Sequence, residues 1–350
     1  MTDIQQTITL LQELISTPSF SREEDKTAAI IENFLQKRSI QVFRNGNNIW
    51  AKNEYFRERL PTILLNSHHD TVKPVKAWTR DPFSADIVED KLYGLGSNDA
   101  GGCLVSLMAT FCNFYSEKLP FNLVLLASAE EEISGRGGVE AVLPDLPPIT
   151  VGIVGEPTLT QMAVAEKGLM VMDGIARGKA GHAAREEGIN AIYIAMEDIE
   201  RLKNFQFEKK SDLLGAVKMS VTQIEAGTQH NVVPDECRFV VDVRTNECYT
   251  NVEIWDIIKQ NLKSEITPRS MRLNSSKIAL EHPLILRGIE LGLIYYGSPT
   301  LSDQALMPFP TLKIGPGDSA RSHTADEFIF LSEIEAGMKI YTQLLTNLAV

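Results

Sequence analysis

The sequence is poor in cysteine, in long apolar runs and in positive charge. Its four cysteines, Cys103, Cys112, Cys237 and Cys248, form no CxxC pair, which argues against a zinc ribbon or a redox pair and predicts buried thiols. Apolar stretches stay well below the ~18 residues that a membrane helix needs. The first residues also lack a positive segment followed by an apolar core. We therefore expect no membrane contact and a cytoplasmic location.

Positive charge is outnumbered by negative charge. Lysine and arginine total 34 against 46 aspartate and glutamate residues, for a formal net charge of -12. Because a nucleic-acid surface needs clustered Lys and Arg, we expect no nucleic-acid partner. A chain of 350 residues with 43% hydrophobic residues is typical of a globular protein with two domains.

Short apolar runs alternate with helical patterns, which predicts an α/β fold. Strands are expected at 62–66, 121–127 and 151–154, and an apolar helix at 103–111. This alternation indicates a mainly parallel mixed sheet covered by helices. Two local signals precede it: Ser21-Arg-Glu-Glu24 predicts a capping box that opens a helix, and Asn45-Gly-Asn-Asn48 predicts a hairpin turn.

The pattern changes over residues 168–275. Here the order of predicted elements is strand, helix, strand, strand, helix, strand, which is typical of a ferredoxin-like α+β module. The first domain resumes afterwards, so we expect it to comprise 1–167 and 276–350. The smaller domain is then an insertion into the larger one.

Polar residues gather where the predicted strands end. They are His68 and Asp70, Asp99, Glu130 to Glu132, Glu156, and His323 within the segment 315–327. Each has an ordinary reading: a solvated turn or helix start for the three glutamates, a structural role for a lone histidine, a loop or cap for Glu156. Together, two imidazoles and several carboxylates suit divalent zinc or cobalt, and the excess of carboxylate allows two ions to share one ligand.

The ordered motifs resemble the M20 metallopeptidase family. They are His68-His-Asp70-Thr-Val72, Gly96-Ser-Asn-Asp99-Ala-Gly-Gly102, Glu130-Glu-Glu132, Gly155-Glu-Pro-Thr158 and Gly315-Pro-Gly-Asp with His323-Thr-Ala-Asp-Glu327. Within the family, the chain is most similar to the branch of acetylornithine deacetylase and succinyl-diaminopimelate desuccinylase. The resemblance implies a zinc-exopeptidase-like catalytic domain, with 168–275 as a dimerisation and lid domain.

The resemblance also implies roles for individual residues. Two divalent ions, zinc or cobalt, would share Asp99; His68 and Glu156 would hold one ion, and Glu132 and His323 the other. Glu131 would be the general base, and Asp70 would orient His68. In the inserted domain, His182 would reach the site of the partner subunit in a homodimer and stabilise the oxyanion, while Asn231 and Arg244 would hold substrate carboxylate.

Several assignments stay open at the level of sequence. The pair of base and ligand could be Glu130 and Glu131. The resemblance favours Glu131 and Glu132, because Ile133-Ser-Gly135 then aligns with the small linker that follows the acidic residues in the family. Strand alternation predicts that His69 points away from the site. Asp303, in Ser302-Asp-Gln304, resembles part of a family loop near the site, but we expect a solvated loop residue. Arg244 could instead be a surface strand residue with a salt bridge.

The predicted function is a metal-dependent amidohydrolase that removes an acetyl or succinyl group from an amino acid, with N-acetylornithine or a related arginine-pathway intermediate as substrate. Two alternatives are a di- or aminopeptidase of the same family and a catalytically silent, dimeric binding homologue. A phosphate binder built on Gly96 to Gly102 is disfavoured, because the P-loop Lys and Ser or Thr are missing.

Overall fold

A computed structural model describes residues 3–349 and divides the chain into two compact units. The first unit contains the chain up to Val164, Lys277–Tyr296 and the chain from Ser302 onward; the second contains Ala165–Ser276 and Gly297–Leu301. The expected insertion at 168–275 falls inside the second unit. The segment Gly297–Leu301, which we expected in the first domain, clusters with the second unit instead.

The secondary structure of the described residues is as follows. The helices are α1 (Ile4–Ile15), α2 (Asp25–Gln36), α3 (Gly102–Phe114), α4 (Val139–Val142), α5 (Ala191–Asn204), α6 (Asn251–Asn261), α7 (Pro283–Glu290) and α8 (Leu331–Leu345). The strands are β1 (Val42–Asn45), β2 (Asn48–Lys52), β3 (Thr62–His68), β4 (Ile87–Val88), β5 (Lys91–Tyr93), β6 (Asn122–Ser128), β7 (Val151–Val154), β8 (Met162–Glu166), β9 (Gly168–Arg177), β10 (Gly181–His182), β11 (Lys218–Ala226), β12 (Val232–Val233), β13 (Glu236–Thr245), β14 (Glu265–Pro268), β15 (Ser276–Lys277), β16 (Tyr295–Ser298), β17 (Thr311–Lys313) and β18 (Phe328–Phe330).

The first unit is built on a mixed sheet whose central strands are parallel. The strand order includes β1-β2-β6-β3-β7-β17-β8, with parallel pairing in β6-β3-β7-β17 and antiparallel pairing at both sides. Strands β3, β6 and β7 are buried along their whole length, as expected for apolar runs covered on both faces. The prediction of a mainly parallel mixed sheet is therefore confirmed.

The register of this sheet brings the ends of its strands together. His68 at the end of β3 pairs with Ser128 at the end of β6, and Asn66 pairs with Val154 at the end of β7. The loops that follow these strands consequently leave from one edge of the sheet, which is where open α/β sheets hold their ligands.

The second unit has the predicted strand and helix order. Its antiparallel sheet runs β11-β13-β9-β14, and α5 and α6 contribute Ala191, Ala195, Ile254 and Ile258 to a core with Met170 and Phe239. The alternating burial of β9 and β13 reflects one face packed on this core and one face left open.

The structure near the amino terminus differs from the prediction in two respects. Helix α1, which starts after Asp3, was not predicted at all. The helix expected to open at Ser21 begins at Asp25: the Ser21 hydroxyl donates to Asp70 Oδ2 at 2.7 Å, and the Glu24 carboxylate accepts the Arg22 N–H at 2.6 Å rather than that of Ser21. Across residues 3–349, we find no helix that is both long and apolar enough to cross a bilayer.

Candidate metal centre and active site

His68 is the buried centre of the polar cluster. It is the last residue of β3, and its side chain is 1% exposed. Its Nδ1–H donates to the main-chain oxygen of Asp70 at 3.0 Å, so that in the neutral ring Nε2 is the nitrogen that carries the lone pair. That Nε2 lies 3.2 Å from Asp99 Oδ1 and 3.7 Å from Glu156 Oε1.

Asp99 stands between two histidines. It lies in the turn Ser97–Gly101 that leads into α3. One carboxylate oxygen faces His68, while the other, Oδ2, lies 3.7 Å from His323 Nε2. A carboxylate whose two oxygens lie near two separate imidazoles is arranged as a ligand shared by two metal ions would be.

The three glutamates occupy the tight turn after β6. The Asp70 carboxylate binds two amides of this turn. Its Oδ1 accepts the main-chain N–H of Glu131 at 3.0 Å, and its Oδ2 accepts that of Glu132 at 3.2 Å. The Glu132 carboxylate lies 2.9 Å from His323 Nε2, and the Glu131 carboxylate 3.9 Å from His68 Nε2. Glu131 and Glu132 thus both face the cluster.

Glu130 faces elsewhere. Its backbone takes the left-handed conformation, with φ at 54°, and its side chain accepts the Gly137 N–H at 3.2 Å and lies 3.9 Å from Arg22. Of the two possible registers, this geometry favours the pair Glu131 and Glu132.

The donor atoms form two overlapping groups within 4.8 Å. One contains His68, Glu131 and Glu156, and the other contains His68, Asp99 and Glu132. The first group includes Glu131, so this side chain is close enough to bind a metal ion as well as to serve as a base. The side chains of Asp99, Glu131, Glu132 and Glu156 are 7–14% exposed, whereas His323 is 53% exposed and opens the cluster to solvent.

Burial and mutual repulsion penalise the carboxylates. Burial raises the pKa of Glu156 to about 8, and the Asp99 charge adds to this effect. Burial also raises the pKa of Glu131 well above its usual value, with Glu156 and Asp303 contributing. The cluster therefore carries more carboxylates than its own side chains neutralise.

The histidines show the complementary effect. The hydrogen bond with Glu132 raises the pKa of His323 to about 9. Burial acts to lower the pKa of His68, but the hydrogen bonds to Asp70 and Asp99 outweigh it and leave that pKa well above its usual value. Both imidazoles thus lie in surroundings that favour positive charge.

This donor set fits a pair of divalent cations. Imidazole nitrogen and carboxylate oxygen are the ligands that zinc and cobalt accept, and cations would supply the positive charge that the buried carboxylates lack. The predicted allotment, with His68, Asp99 and Glu156 on one ion and Asp99, Glu132 and His323 on the other, stays a proposal, since the two groups of close donor atoms share His68 and do not include His323.

The remaining predicted residues lie in the second unit. His182 is exposed in β10, and its Nδ1 accepts the Ala184 N–H at 3.1 Å. Asn231 is exposed, and its main-chain oxygen accepts from Ala183. Arg244 forms a two-pronged ion pair with Asp242 at 2.8 and 3.1 Å, which is the salt bridge that the sequence left open as its alternative reading.

Two further residues complete the surroundings of the cluster. His69 points away as predicted, with Nδ1 2.9 Å from Thr27 Oγ1 and Nε2 3.0 Å from the Asn47 oxygen. The prediction for Asp303 was wrong: this residue is 4% exposed and accepts the Ser128 hydroxyl at 2.6 Å. Its charge contributes to the raised pKa of Glu131. The resemblance pointed to this loop, but a short loop gives no sign of burial in the sequence, so the solvated interpretation was preferred.

The fold and this cluster define a metal-dependent hydrolase of amide bonds. The sequence profile of peptidase family M20/M25/M40 matches residues 64–347, and the chain belongs to that family. The prediction of M20 membership is thereby confirmed.

Similar proteins cover almost the whole chain. Acetylornithine deacetylase from Proteus mirabilis is 27% identical over 97% of this chain and 96% of its own length. Succinyl-diaminopimelate desuccinylase from Cereibacter sphaeroides is 26% identical over 97% of this chain and 98% of its own length. Both names belong to the branch that the motifs resemble.

Solved structures with the same fold include peptidases. Aminopeptidase PepT from Bacillus cereus superposes with a TM-score of 0.77 at 17% identity, covering 98% of each chain. The Bacillus subtilis YXEP protein, described as a dinuclear metal-binding peptidase of the M20 family, superposes with a TM-score of 0.75 at 17% identity over 98% of this chain and 97% of its own. These likenesses establish the fold.

Proposed function

We propose that the protein is an N-acyl amino acid amidohydrolase that uses two divalent metal ions, zinc or cobalt. Its substrate is an acetylated or succinylated amino acid, with N-acetylornithine or a related arginine-pathway intermediate as the first candidate. The placement of Asp99 between His68 and His323 carries this proposal, because it offers one ligand to two ions beside Glu131. The names of the two relatives support the class of substrate.

The chain's own groups can perform the proton transfers. When bound, the ions would act as Lewis acids toward the amide carbonyl and lower the pKa of water in the site. Glu131 would take a proton from the attacking water and deliver it to the leaving amine. The Asp70 carboxylate would keep Glu131 in place by accepting the main-chain N–H of Glu131. The main-chain oxygen of Asp70 would keep His68 in the tautomer whose Nε2 is available to a metal ion.

The proposal includes a homodimer. His182 would donate from Nε2 to the developing oxyanion in the partner's site, since its Nδ1 already accepts the Ala184 N–H. Asn231 and Arg244 would bind the substrate carboxylate, for which Arg244 would share its guanidinium between Asp242 and the ligand. The cytoplasmic location stays a prediction.

The direct test is hydrolysis by zinc-reconstituted protein across a panel of substrates. The panel contains N-acetylornithine, N-acetylcitrulline, N-succinylcitrulline, N-succinyl-diaminopimelate and several dipeptides, each with a chelated control. We expect chelator-sensitive release of the free amino acid from one acylated member. The identity of that member establishes the acyl group and the side chain together.

Other outcomes would point to the alternatives. Faster cleavage of free dipeptides would overturn the deacylase proposal in favour of a peptidase. Absence of turnover on every member by protein that holds two ions per chain would support the silent binding homologue.

A further inference from the structure

Glu327 is a buried carboxylate that the proposed chemistry does not use. It is 2% exposed, and it follows His323 in the motif His323-Thr-Ala-Asp-Glu327. Its Oε1 accepts the main-chain N–H groups of Asn98 and Asp99, both at 2.9 Å, and its Oε2 accepts that of Gly96 at 3.1 Å. One side chain therefore binds three amides of the turn that presents Asp99.

The same turn is tied a second time to the loop that carries His323. The Asn98 side chain donates from Nδ2 to the main-chain oxygen of Asp318 and accepts the Asp318 N–H on Oδ1, each at 3.0 Å. Asp318 and Glu327 lie on either side of His323 in sequence. The turn that carries Asp99 is therefore hydrogen-bonded to the His323 loop at two points, one before and one after His323 in sequence.

Full pairing of Glu327 requires two acceptor oxygens. All three of its partners are N–H donors, so both side-chain oxygens must accept. Glutamine has the same shape, but its NH2 group would meet at least one N–H as donor against donor. The main chain of the turn, and the Asp99 side chain that it carries, would then have to shift.

We propose that Glu327 is a positioning residue that sets the Asp99 carboxylate for both metal ions at once. The inference rests on the proposed dinuclear site and goes beyond it in one respect. Loss of Glu327 weakens the binding of both ions in parallel, because Glu327 acts through Asp99, the ligand that they share. Loss of a residue such as Glu132 instead removes one ion.

The test is zinc binding by metal-free Glu327→Gln protein, measured by competition with a chromophoric chelator and by elemental analysis. We expect both dissociation constants to rise about tenfold or more, the range found for groups that orient metal ligands. The cobalt(II) absorption spectrum, which reports ligand geometry, should change as well.

The matched control is Asp198→Asn in the second unit. Asp198 is also a fully buried carboxylate that accepts main-chain N–H groups, from Lys263 at 3.0 Å and from Ser264 at 2.7 Å. We expect it to lower thermal stability while zinc affinity and the cobalt spectrum stay as in the unmodified protein.

The possible outcomes separate this inference from the proposed function. Unchanged zinc affinity in Glu327→Gln, or loss of one ion alone, would overturn the positioning role while the dinuclear site stands. Failure of the unmodified protein to bind two ions would overturn both. If Glu327→Gln does not fold, Glu327→Asp, which keeps the charge and shortens the reach, must show the same parallel weakening.

Discussion

The carboxylate of Asp70 supports the site through main-chain amides as well as through His68. It accepts from the amides of Glu131 and Glu132 and from the Ser21 hydroxyl, whereas His68 Nδ1 lies closer to the Asp70 carbonyl, at 3.0 Å, than to its carboxylate, at 3.5 Å. Motif reasoning predicted only the link to His68. Every residue except proline has a main-chain N–H, so residue types alone could not predict the hydrogen bonds from Asp70 to the glutamate turn.

The neighbouring glutamates should separate cleanly by substitution. We expect Glu131→Gln to retain two metal ions and to lose about 10²- to 10⁴-fold in kcat, the usual contribution of a general acid or base. Glu132→Gln should retain one ion, because its carboxylate faces His323 at 2.9 Å. Elemental analysis and steady-state kinetics on the same preparations measure both effects.

The reverse pattern would show that the roles are exchanged. The structure makes this a sharp comparison, since both glutamates lie within reach of a histidine and both are largely buried. Glu130→Gln is the control: its side chain faces Gly137 and Arg22, so metal content and kcat should stay close to those of the unmodified protein.

At the scale of elements, the same four-residue pattern has two outcomes in this chain. Ser21-Arg-Glu-Glu24 forms no capping box: the serine hydroxyl donates to Asp70, and the Glu24 carboxylate accepts from the Arg22 N–H, the Asn47 side chain and the Glu130 N–H. Thr250-Asn-Val-Glu253 does form one at the start of α6: Thr250 Oγ1 accepts the Glu253 N–H at 3.2 Å, and Glu253 Oε2 accepts the Thr250 N–H at 2.7 Å. A local pattern predicts a local structure only when no distant group competes for its side chains.

Thr250→Ala should therefore destabilise the second unit. Loss of the cap leaves an amide of the first turn without its side-chain acceptor, which costs about 1 kcal/mol in the free energy of unfolding. Urea denaturation followed by circular dichroism would measure the change. Ser21→Ala offers a contrast: any effect there should appear in metal content or kcat through Asp70, and α2 should keep its helicity.

For the whole molecule, the sequence predicted the order of elements and the residues of the cluster better than their surroundings. Periodic apolar runs revealed β3, β6 and β7, and the hairpin turn was placed correctly at 45–48. Missed were Asp303 and the contacts of Glu327, which depend on loops that are distant in sequence but adjacent in the fold. Such contacts follow from tertiary packing, which periodicity does not encode.

The metal-binding cluster lies entirely in the first unit, which leads to the last prediction. All of its carboxylates and both histidines lie in the first unit, whereas the second unit has its own hydrophobic core. Metal bound only by the folded state at 100 times its dissociation constant adds about 2.7 kcal/mol of stability. For a unit of this size, that corresponds to a rise of about 5 to 10 °C in melting temperature.

In scanning calorimetry, we expect zinc to raise the melting temperature of the first unit's transition, and a chelator to reverse the rise. Asp198→Asn, in the second unit, should not lower the melting temperature of that transition. The repulsion among the buried carboxylates explains the direction, because cations relieve it only while the first unit is folded. His323→Ala serves as the control and should reduce the zinc-dependent rise, since it removes a ligand of one ion from an exposed position. A melting profile unchanged by zinc would mean that the cluster does not bind the metal in its folded arrangement.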